Sequence, residues 1–161
     1  MINNTLKSAL LARFSNCLST SCRERQCGLR LDSLRRSSMV IIDGRKYQEL
    51  FRFSESLCDR IVFHMEGNTT VAVVELKSGR LDAQQSTKQL INGAQIAEDA
   101  MGSAYRANNF LPMVLRGRRT HTAELKVLGN AKLRFQDKEY SIILERCESS
   151  LKSIIEKYCP F

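Results

Sequence analysis

The apolar pattern of the chain is densest over residues 58–79, where two apolar runs flank a short polar break. The runs cover residues 61–65 and 71–76, and Gly67-Asn68 between them is a strong turn signal. Short apolar runs on both sides of such a turn are typical of a β-hairpin with buried strands. The pattern therefore predicts a hairpin at the centre of the fold.

The register of this hairpin decides which charged residues share a face. A two-residue loop would place Asp59 opposite Leu76 and would divide the large apolar residues between both faces. A three-residue loop, 67–69, would place Asp59 opposite Lys77 and gather the apolar residues on the face that carries Asp59, Glu75 and Lys77. Because a slip of one residue exchanges the faces, the apolar pattern favours the three-residue loop. We therefore expect Asp59, Glu75 and Lys77 to converge at the open end of the hairpin.

The segment before the hairpin begins with a helical pattern. Leu6, Leu10 and Phe14 recur at helical spacing and predict a helix over residues 4–16. Residues 17–38 are polar and rich in arginine, which indicates either a mobile basic loop or a short helix around residues 29–34.

A first core strand is predicted over residues 39–42, which are all apolar. The turn signal Asp43-Gly44 follows it, and residues 46–53 fit either a second strand or a short helix. These elements lead into the central hairpin.

A long helix is predicted after the hairpin. Asp82 and Gln85 have the spacing of a capping box at its start. Its buried stripe is predicted to consist of small and apolar residues, namely Ala83, Thr87, Leu90, Ala94, Ala97 and Met101. The apolar run over residues 110–115 then predicts another strand.

The C-terminal part, residues 131–158, predicts a hairpin and a helix. Residues 132–135 and 140–144 alternate around a turn, and residues 149–158 have apolar positions at helical spacing. The complete order predicts an α/β fold with a mixed central β-sheet flanked by helices. The length fits one domain over residues 1–161.

The charge of the chain points to a class of partner. The 161 residues include 25 Lys and Arg against 17 Asp and Glu, so the net charge is +8 and the pI is near 9.4. This balance favours a polyanion such as nucleic acid, and a basic surface without such a partner is the alternative.

Segments for membranes or export are not predicted. No stretch has the apolar length of a membrane span, and the N-terminus lacks a signal-peptide core. The expectation is a cytoplasmic protein without a membrane partner, whose six cysteines are mostly free thiols. Cys17, Cys22 and Cys27 have regular spacing but no histidine or second cysteine pair nearby, which disfavours structural zinc.

The three charged residues at the end of the hairpin suggest a chemistry. Charges at the rim of an apolar core need partners or a metal. Mg²⁺ binds through one or two carboxylates together with substrate phosphate, so Asp59 and Glu75 are candidate metal ligands and the Leu76 carbonyl is a candidate third oxygen. Lys77 would orient or deprotonate the attacking water and offset phosphate charge. The set predicts a phosphodiester hydrolase.

At these residues the sequence resembles the PD-(D/E)XK nuclease superfamily, in which an acidic residue precedes Glu-x-Lys on the next strand. Gln89-Leu90 on the following helix resembles the RecB-like branch. The resemblance covers roughly residues 39–116 and implies a restriction-endonuclease-like αβββαβ core. It also implies Mg²⁺ or Mn²⁺ as cofactor, with Gln89 steadying Lys77 or a phosphate. Cys58 and Gly93 depart from the residues usual in that pattern.

Further residues are candidates for supporting roles. The basic residues expected to hold the nucleic-acid backbone are Arg80, Lys88, Arg116, Arg118 and Arg119, although a basic exposed turn would look the same. Glu49 or Glu55 is a candidate for an additional acidic ligand. A second Glu-Leu-Lys, at 124–126, is preceded by polar residues and is interpreted as helical surface.

The first functional hypothesis is a Mg²⁺-dependent nuclease that hydrolyses phosphodiester bonds, with DNA as the expected substrate. The alternative is a non-catalytic nucleic-acid-binding or assembly module on a nuclease-like fold. An RNase of the same chemistry is a third hypothesis. A single domain of this size would be helped by forming a homodimer or a larger protein assembly.

Overall fold

A computed structural model describes residues 2–117 and 121–159 of the chain. Within these ranges the helices and strands follow in the order α1 (Ile2–Phe14), β1 (Cys22–Glu24), β2 (Cys27–Leu29), β3 (Met39–Asp43), α2 (Gly44–Leu50), β4 (Arg60–Glu66), β5 (Asn68–Lys77), α3 (Ala83–Met101), β6 (Asn109–Arg116), α4 (Thr122–Asn130), β7 (Lys132–Phe135), β8 (Lys138–Ser141), β9 (Ile143–Arg146) and α5 (Leu151–Tyr158). Two 3₁₀ turns, Ser15–Cys17 and Arg36–Ser38, also occur.

A five-stranded sheet in the order β3-β4-β5-β6-β9 forms the centre of the fold. Strands β3, β4 and β5 are antiparallel neighbours, whereas β6 runs parallel to β5 and β9 runs parallel to β6. The parallel pair β5–β6 is joined through α3, as a parallel connection requires. The predicted α/β architecture with a mixed sheet and flanking helices is confirmed.

Helices α1 and α3 cover one face of the sheet. Leu6, Leu10 and Phe14 of α1 are buried against this face, which confirms the predicted helix. The predicted stripe of α3 is buried too, with Thr87 half-buried at its edge. The Asp82 side chain accepts a hydrogen bond from the Gln85 amide, so the predicted helix start is confirmed.

The opposite face is covered by the β1–β2 hairpin and by α5. The hairpin buries Cys22, Cys27 and Leu29 against the sheet, and α5 adds Leu151 and Ile154. The prediction of a mobile loop over residues 17–38 is therefore wrong for residues 22–29, and the alternative short helix around residues 29–34 does not form. Each of these strands has only three residues, and all three residues of β2 are buried, so neither shows an alternating pattern long enough to be recognised.

A disulfide joins Cys27 of β2 to Cys147, which directly follows β9. The other four cysteines are free, in keeping with the expectation that most would be. The bridge itself was not predicted, because its two residues lie 120 positions apart in the chain.

The register of the central hairpin differs from both predicted alternatives. Glu66 pairs with Asn68, and Arg60 pairs with Val74, so Gly67 alone forms the loop. Gly67 has a φ of +75°, a conformation that glycine adopts without steric cost. Asp59 therefore lies level with Glu75 rather than with Lys77. Because the error is two residues, the predicted faces are unchanged.

The tight turn has a cause outside the hairpin. The backbone N–H of Thr69 donates to the Asn108 side chain, and the Asn108 N–H donates to the Thr69 carbonyl. These contacts hold the first residues of β5 in an extended conformation beside the start of β6. Strand β5 consequently reaches back to Asn68 and leaves only Gly67 for the loop.

The C-terminal segments differ from the prediction in one respect. Strands β7 and β8 form the predicted hairpin, but residues 143–146 leave it and join the central sheet as the edge strand β9. Residues 46–53 were predicted to form either a strand or a short helix. Residues 46–50 belong to helix α2, so the helix is the correct alternative for them. None of the helices in the described ranges combines the length and apolar character that a bilayer crossing requires.

Candidate active site

Asp59 and Glu75 lie side by side where the central hairpin opens. Asp59 directly precedes β4, and its Oδ2 accepts a hydrogen bond of 2.8 Å from the backbone N–H of Leu76. Glu75 belongs to β5 and is only 1% exposed. The two carboxyl groups are close enough for each to shift the pKa of the other. The structure thus brings together the two acidic residues predicted from the sequence.

Lys77 completes this group from the end of β5. Its Nζ lies 2.9 Å from Glu75 Oε2, and its side chain is partly exposed while that of Glu75 is buried. Residues two apart in a strand share a face, so this contact follows from the local sequence Glu-Leu-Lys. The other oxygen, Glu75 Oε1, is buried and receives no hydrogen bond from the described residues.

The electrostatics of the pair favour a retained proton. Burial, together with the neighbouring charge of Asp59, raises the pKa of Glu75 to about 8, while the Lys77 ammonium opposes the shift. Burial also raises the pKa of Asp59, and the Leu76 N–H opposes that shift. The raised pKa of Glu75 favours the protonated, uncharged form of its carboxyl group in the folded protein.

Helix α3 holds the chain segment that leads to Asp59. Gln89 Nε2 donates to the Leu57 carbonyl at 3.3 Å, and Asn92 Nδ2 donates to the Ser56 carbonyl at 2.6 Å. Gln89 was predicted to steady Lys77 or a phosphate, whereas its amide nitrogen is here bonded to backbone. Its oxygen, Oε1, is buried without a partner among the described residues.

Two glycines let other elements approach this segment. A Cβ on Gly93 of α3 would lie 2.4 Å from Cys58 Sγ, and one on Gly44 at the start of α2 would lie 2.0 Å from the Cys58 carbonyl. The Gly44 N–H also donates to the Asp59 carbonyl at 2.9 Å. Cys58 and Gly93 are thus packed against each other.

Arg60 joins the N-terminal hairpin to the site. Its buried guanidinium donates to Glu24 Oε1 at 2.9 Å, to the Asp59 carbonyl at 2.8 Å, and to the carbonyls of Ser21 and Arg23. Through these bonds the arginine holds the Asp59 carbonyl beside the β1–β2 hairpin.

Glu24 is the acidic neighbour that the sequence did not reveal. Its charge adds to burial in raising the pKa of Asp59. The predicted candidates for an additional ligand lie elsewhere: Glu49 is exposed on α2, and Glu55 is exposed and faces Lys88 with an N–O distance of 3.8 Å. Glu24 lies among arginines in a short strand, so no pattern marked it.

The basic residues predicted to hold a nucleic-acid backbone are spread over several elements. Arg116 ends β6 in register with Lys77. Arg80 is exposed in the loop after β5, and Lys88 is exposed on α3. Arg118 and Arg119 lie outside the described residues. The second Glu-Leu-Lys lies in α4, as predicted, and Glu124 accepts a hydrogen bond from the Ala83 N–H at the start of α3.

The donor set fits a hard divalent cation. Asp59 and Glu75 offer carboxylate oxygens, and the buried Glu75 Oε1 lacks a donor. The ranges 2–117 and 121–159 contain no group of three or more His, Cys, Asp or Glu side chains that could hold a metal ion. Mg²⁺ does not require such a cage, because it retains several waters and uses one or two carboxylates together with substrate phosphates.

The chain matches no family model, no curated protein and no solved structure.

Proposed function

We propose that the protein is a Mg²⁺-dependent nuclease that hydrolyses phosphodiester bonds, with DNA as its expected substrate and Mn²⁺ as an alternative cation. The observation that supports this most strongly is the contact between two carboxyl groups and a lysine at the end of a buried sheet. Glu75 is 1% exposed, lies against Asp59, and has the Lys77 ammonium 2.9 Å away. Burying such a group costs free energy, and buried ionisable groups with shifted pKa values are frequent at active sites, which is consistent with a reaction on a phosphate.

Each residue has a role in this proposal. Asp59 and Glu75 hold the cation, with the Leu76 carbonyl as a further oxygen ligand. A bound Mg²⁺ would offset the charge that develops on the scissile phosphate. Lys77 orients the attacking water and stabilises the same charge from the exposed side. Gln89 keeps Asp59 in place through the Leu57 carbonyl.

Cleavage assays on matched lysine variants test the proposal. Lys77 and Lys126 both follow Glu-Leu, but Lys126 is exposed on α4. We expect Lys77→Ala to lower the Mg²⁺-dependent cleavage of plasmid and single-stranded DNA by about 100-fold or more, because a positioned charge is lost at the reacting phosphate. Lys126→Ala keeps wild-type cleavage.

Equal cleavage by Lys77→Ala and by the wild type would exclude the proposed site. EDTA provides the metal-free control, and an RNA oligonucleotide in parallel separates a deoxyribonuclease from an RNase of the same chemistry.

A non-catalytic nucleic-acid-binding or assembly module is the second candidate. It is favoured by the finding that no third acidic side chain joins Asp59 and Glu75 in a metal-holding group among the described residues. Binding of DNA without cleavage in Mg²⁺ or Mn²⁺ would support this candidate. If both strands of a duplex are cut, the proposed homodimer becomes the simplest arrangement, and sedimentation of the complex measures it.

A further inference from the structure

Three basic residues form a row across the edge of the central sheet. Lys77 of β5 lies in register with Arg116 of β6, and Arg116 lies in register with Arg146 of β9. Directly paired residues of neighbouring strands point to the same face, and strands are spaced by roughly 4.8 Å. The Cα atoms at the two ends of the row are therefore about 10 Å apart.

The row begins at the proposed active site. Lys77 contacts Glu75, so this end of the row adjoins the carboxylate pair. The C-terminal ends of β5, β6 and β9, which run parallel, meet at this edge of the sheet. Ligands of α/β proteins are commonly bound at this end of parallel strands.

The two arginines of the row lack an acidic partner in the part of the chain that the structure describes. Arg116 Nε is buried without a hydrogen bond, and Arg146 is exposed. By contrast, Arg23 and Arg60 have ion pairs with Glu148 and Glu24. Like charges at adjacent positions of a sheet repel each other, so an anion bound along the row would relieve this repulsion.

The end of the row is held in a fixed position. The Cys147 N–H donates to the Arg116 carbonyl at 2.9 Å, and the Ser149 hydroxyl donates to the Arg146 carbonyl at 2.7 Å. The disulfide then ties Cys147 to β2. The backbone that carries Arg146 is thus constrained from two sides, as a residue that positions a ligand requires.

We propose that Lys77, Arg116 and Arg146 bind consecutive phosphates of one nucleic-acid strand and lead it from the carboxylate pair across β6 to β9. This inference rests on the proposed function for the identity of the anion. Arg146 is then a positioning residue that no sequence motif indicated. Contacts to phosphates carry no sequence information, so the row accounts for affinity and direction rather than for sequence preference.

Binding in the absence of metal tests the row separately from catalysis. Fluorescence anisotropy with a labelled single-stranded 20-nucleotide DNA is measured in EDTA at several salt concentrations between 50 and 200 mM. We expect Arg146→Gln to weaken binding by about 3- to 10-fold at low salt. We also expect it to reduce the slope of log affinity against log salt by about 0.7, the value for one lost phosphate contact on a single strand.

Matched variants control for charge and folding. Arg134 is also an exposed arginine, but it lies on β7, outside the central sheet, and Arg134→Gln should leave affinity and salt slope unchanged. Arg116→Gln should weaken binding, whereas Arg116→Lys, which keeps the charge, should restore most of it. Circular dichroism melts establish that each variant is folded.

The outcomes separate the two proposals. If Arg146→Gln and Arg134→Gln bind alike with the wild-type salt slope, the row is wrong even when the protein cleaves DNA. If Lys77→Ala cleaves as the wild type does but Arg146→Gln loses affinity, the proposed catalytic site is wrong and the phosphate row stands.

Discussion

Glu75 is the residue on which the proposed chemistry depends most directly. It is buried, lies beside a second carboxyl group, and has one cation within 3 Å, and burial dominates its pKa. When Glu75 is protonated, the Lys77 ammonium balances the charge of the Asp59 carboxylate, so the three side chains together are neutral. In the proposed function the same pair of carboxyl groups would become a ligand set once a divalent cation displaces the proton, so a proton and a cation would compete for the same carboxylate oxygens.

The raised pKa of Glu75 has a consequence for stability. The folded protein keeps a proton that the unfolded chain releases near pH 4.5, so the free energy of unfolding should fall as the pH rises from about 5 to about 8. We expect Glu75→Gln to remove most of this decline, because the amide does not titrate. Urea unfolding in EDTA at pH 5, 6, 7 and 8 measures the effect.

The control for this prediction is an exposed glutamate on β8, Glu139. Glu139→Gln should leave the pH dependence as it is in the wild type. A Glu75→Gln variant whose unfolding free energy still falls with the wild-type slope would contradict the assignment of the raised pKa to Glu75.

At the scale of elements, α3 holds the start of β4 by close packing and by two amide side chains. Gly93 lies so near Cys58 that an added methyl group would overlap the sulfur atom. Gln89 and Asn92, on the same side of the helix, bond the carbonyls of Leu57 and Ser56. The position of Asp59 is therefore set by a helix that follows it in the chain.

We expect Gly93→Ala to lower the free energy of unfolding by about 1–3 kcal/mol, as overpacking of a core does. The combined variant Cys58→Ala with Gly93→Ala should lose less than the sum of its two single substitutions, because the smaller side chain leaves room for the added methyl group. Urea titration of the three variants gives the coupling.

Gly129 is the matched control for this substitution. It lies in α4, and an added Cβ would meet nothing within 4 Å. Gly129→Ala should be neutral or stabilise the protein by up to about 1 kcal/mol, since alanine favours the helix. Equal losses at Gly93 and Gly129 would mean that the contact with Cys58 is not the cause.

The central hairpin and strand β9 show which features of the fold follow from the local sequence and which do not. The faces of the hairpin were predicted correctly because alternation in a strand needs only neighbouring residues. Its loop length was wrong, since the extended start of β5 depends on contacts between Thr69 and Asn108, which lie far apart in the chain. Strand β9 was missed for the same reason, because its pairing with β6 leaves no local pattern.

At the scale of the whole molecule, the two faces of the sheet are closed by different means. Helices α1 and α3 close one face, and the β1–β2 hairpin with α5 closes the other. The hairpin is fastened through Arg60 and through the disulfide from Cys27 to Cys147. Glu24 reaches the site through its contact with Arg60, which lies 36 positions away in the chain, so it was not visible in the sequence.

The disulfide closes a loop of 120 positions and should stabilise the fold chiefly by restricting the unfolded chain. We expect Cys27→Ser to lower the free energy of unfolding by about 2–4 kcal/mol. Dithiothreitol should lower the stability of the wild type towards that of Cys27→Ser and leave the variant itself unchanged. Thermal melts with and without the reductant measure this.

Cys159 provides the comparison, because it is a free and half-buried thiol. Cys159→Ser should respond to dithiothreitol as the wild type does. A wild-type protein whose melting temperature is indifferent to the reductant would show that the bridge adds no stability in solution.

The contact between Lys77 and Glu75 also bears on how the proposed site is stabilised before a metal ion binds. The ammonium group is an internal counter-ion, and it stands in for part of the positive charge that a divalent ion would bring. Because Lys77 supplies this positive charge, the fold would not depend on a bound metal ion. A chelator would then inactivate such a protein reversibly without unfolding it, in contrast to small zinc domains, which unfold when their metal is removed.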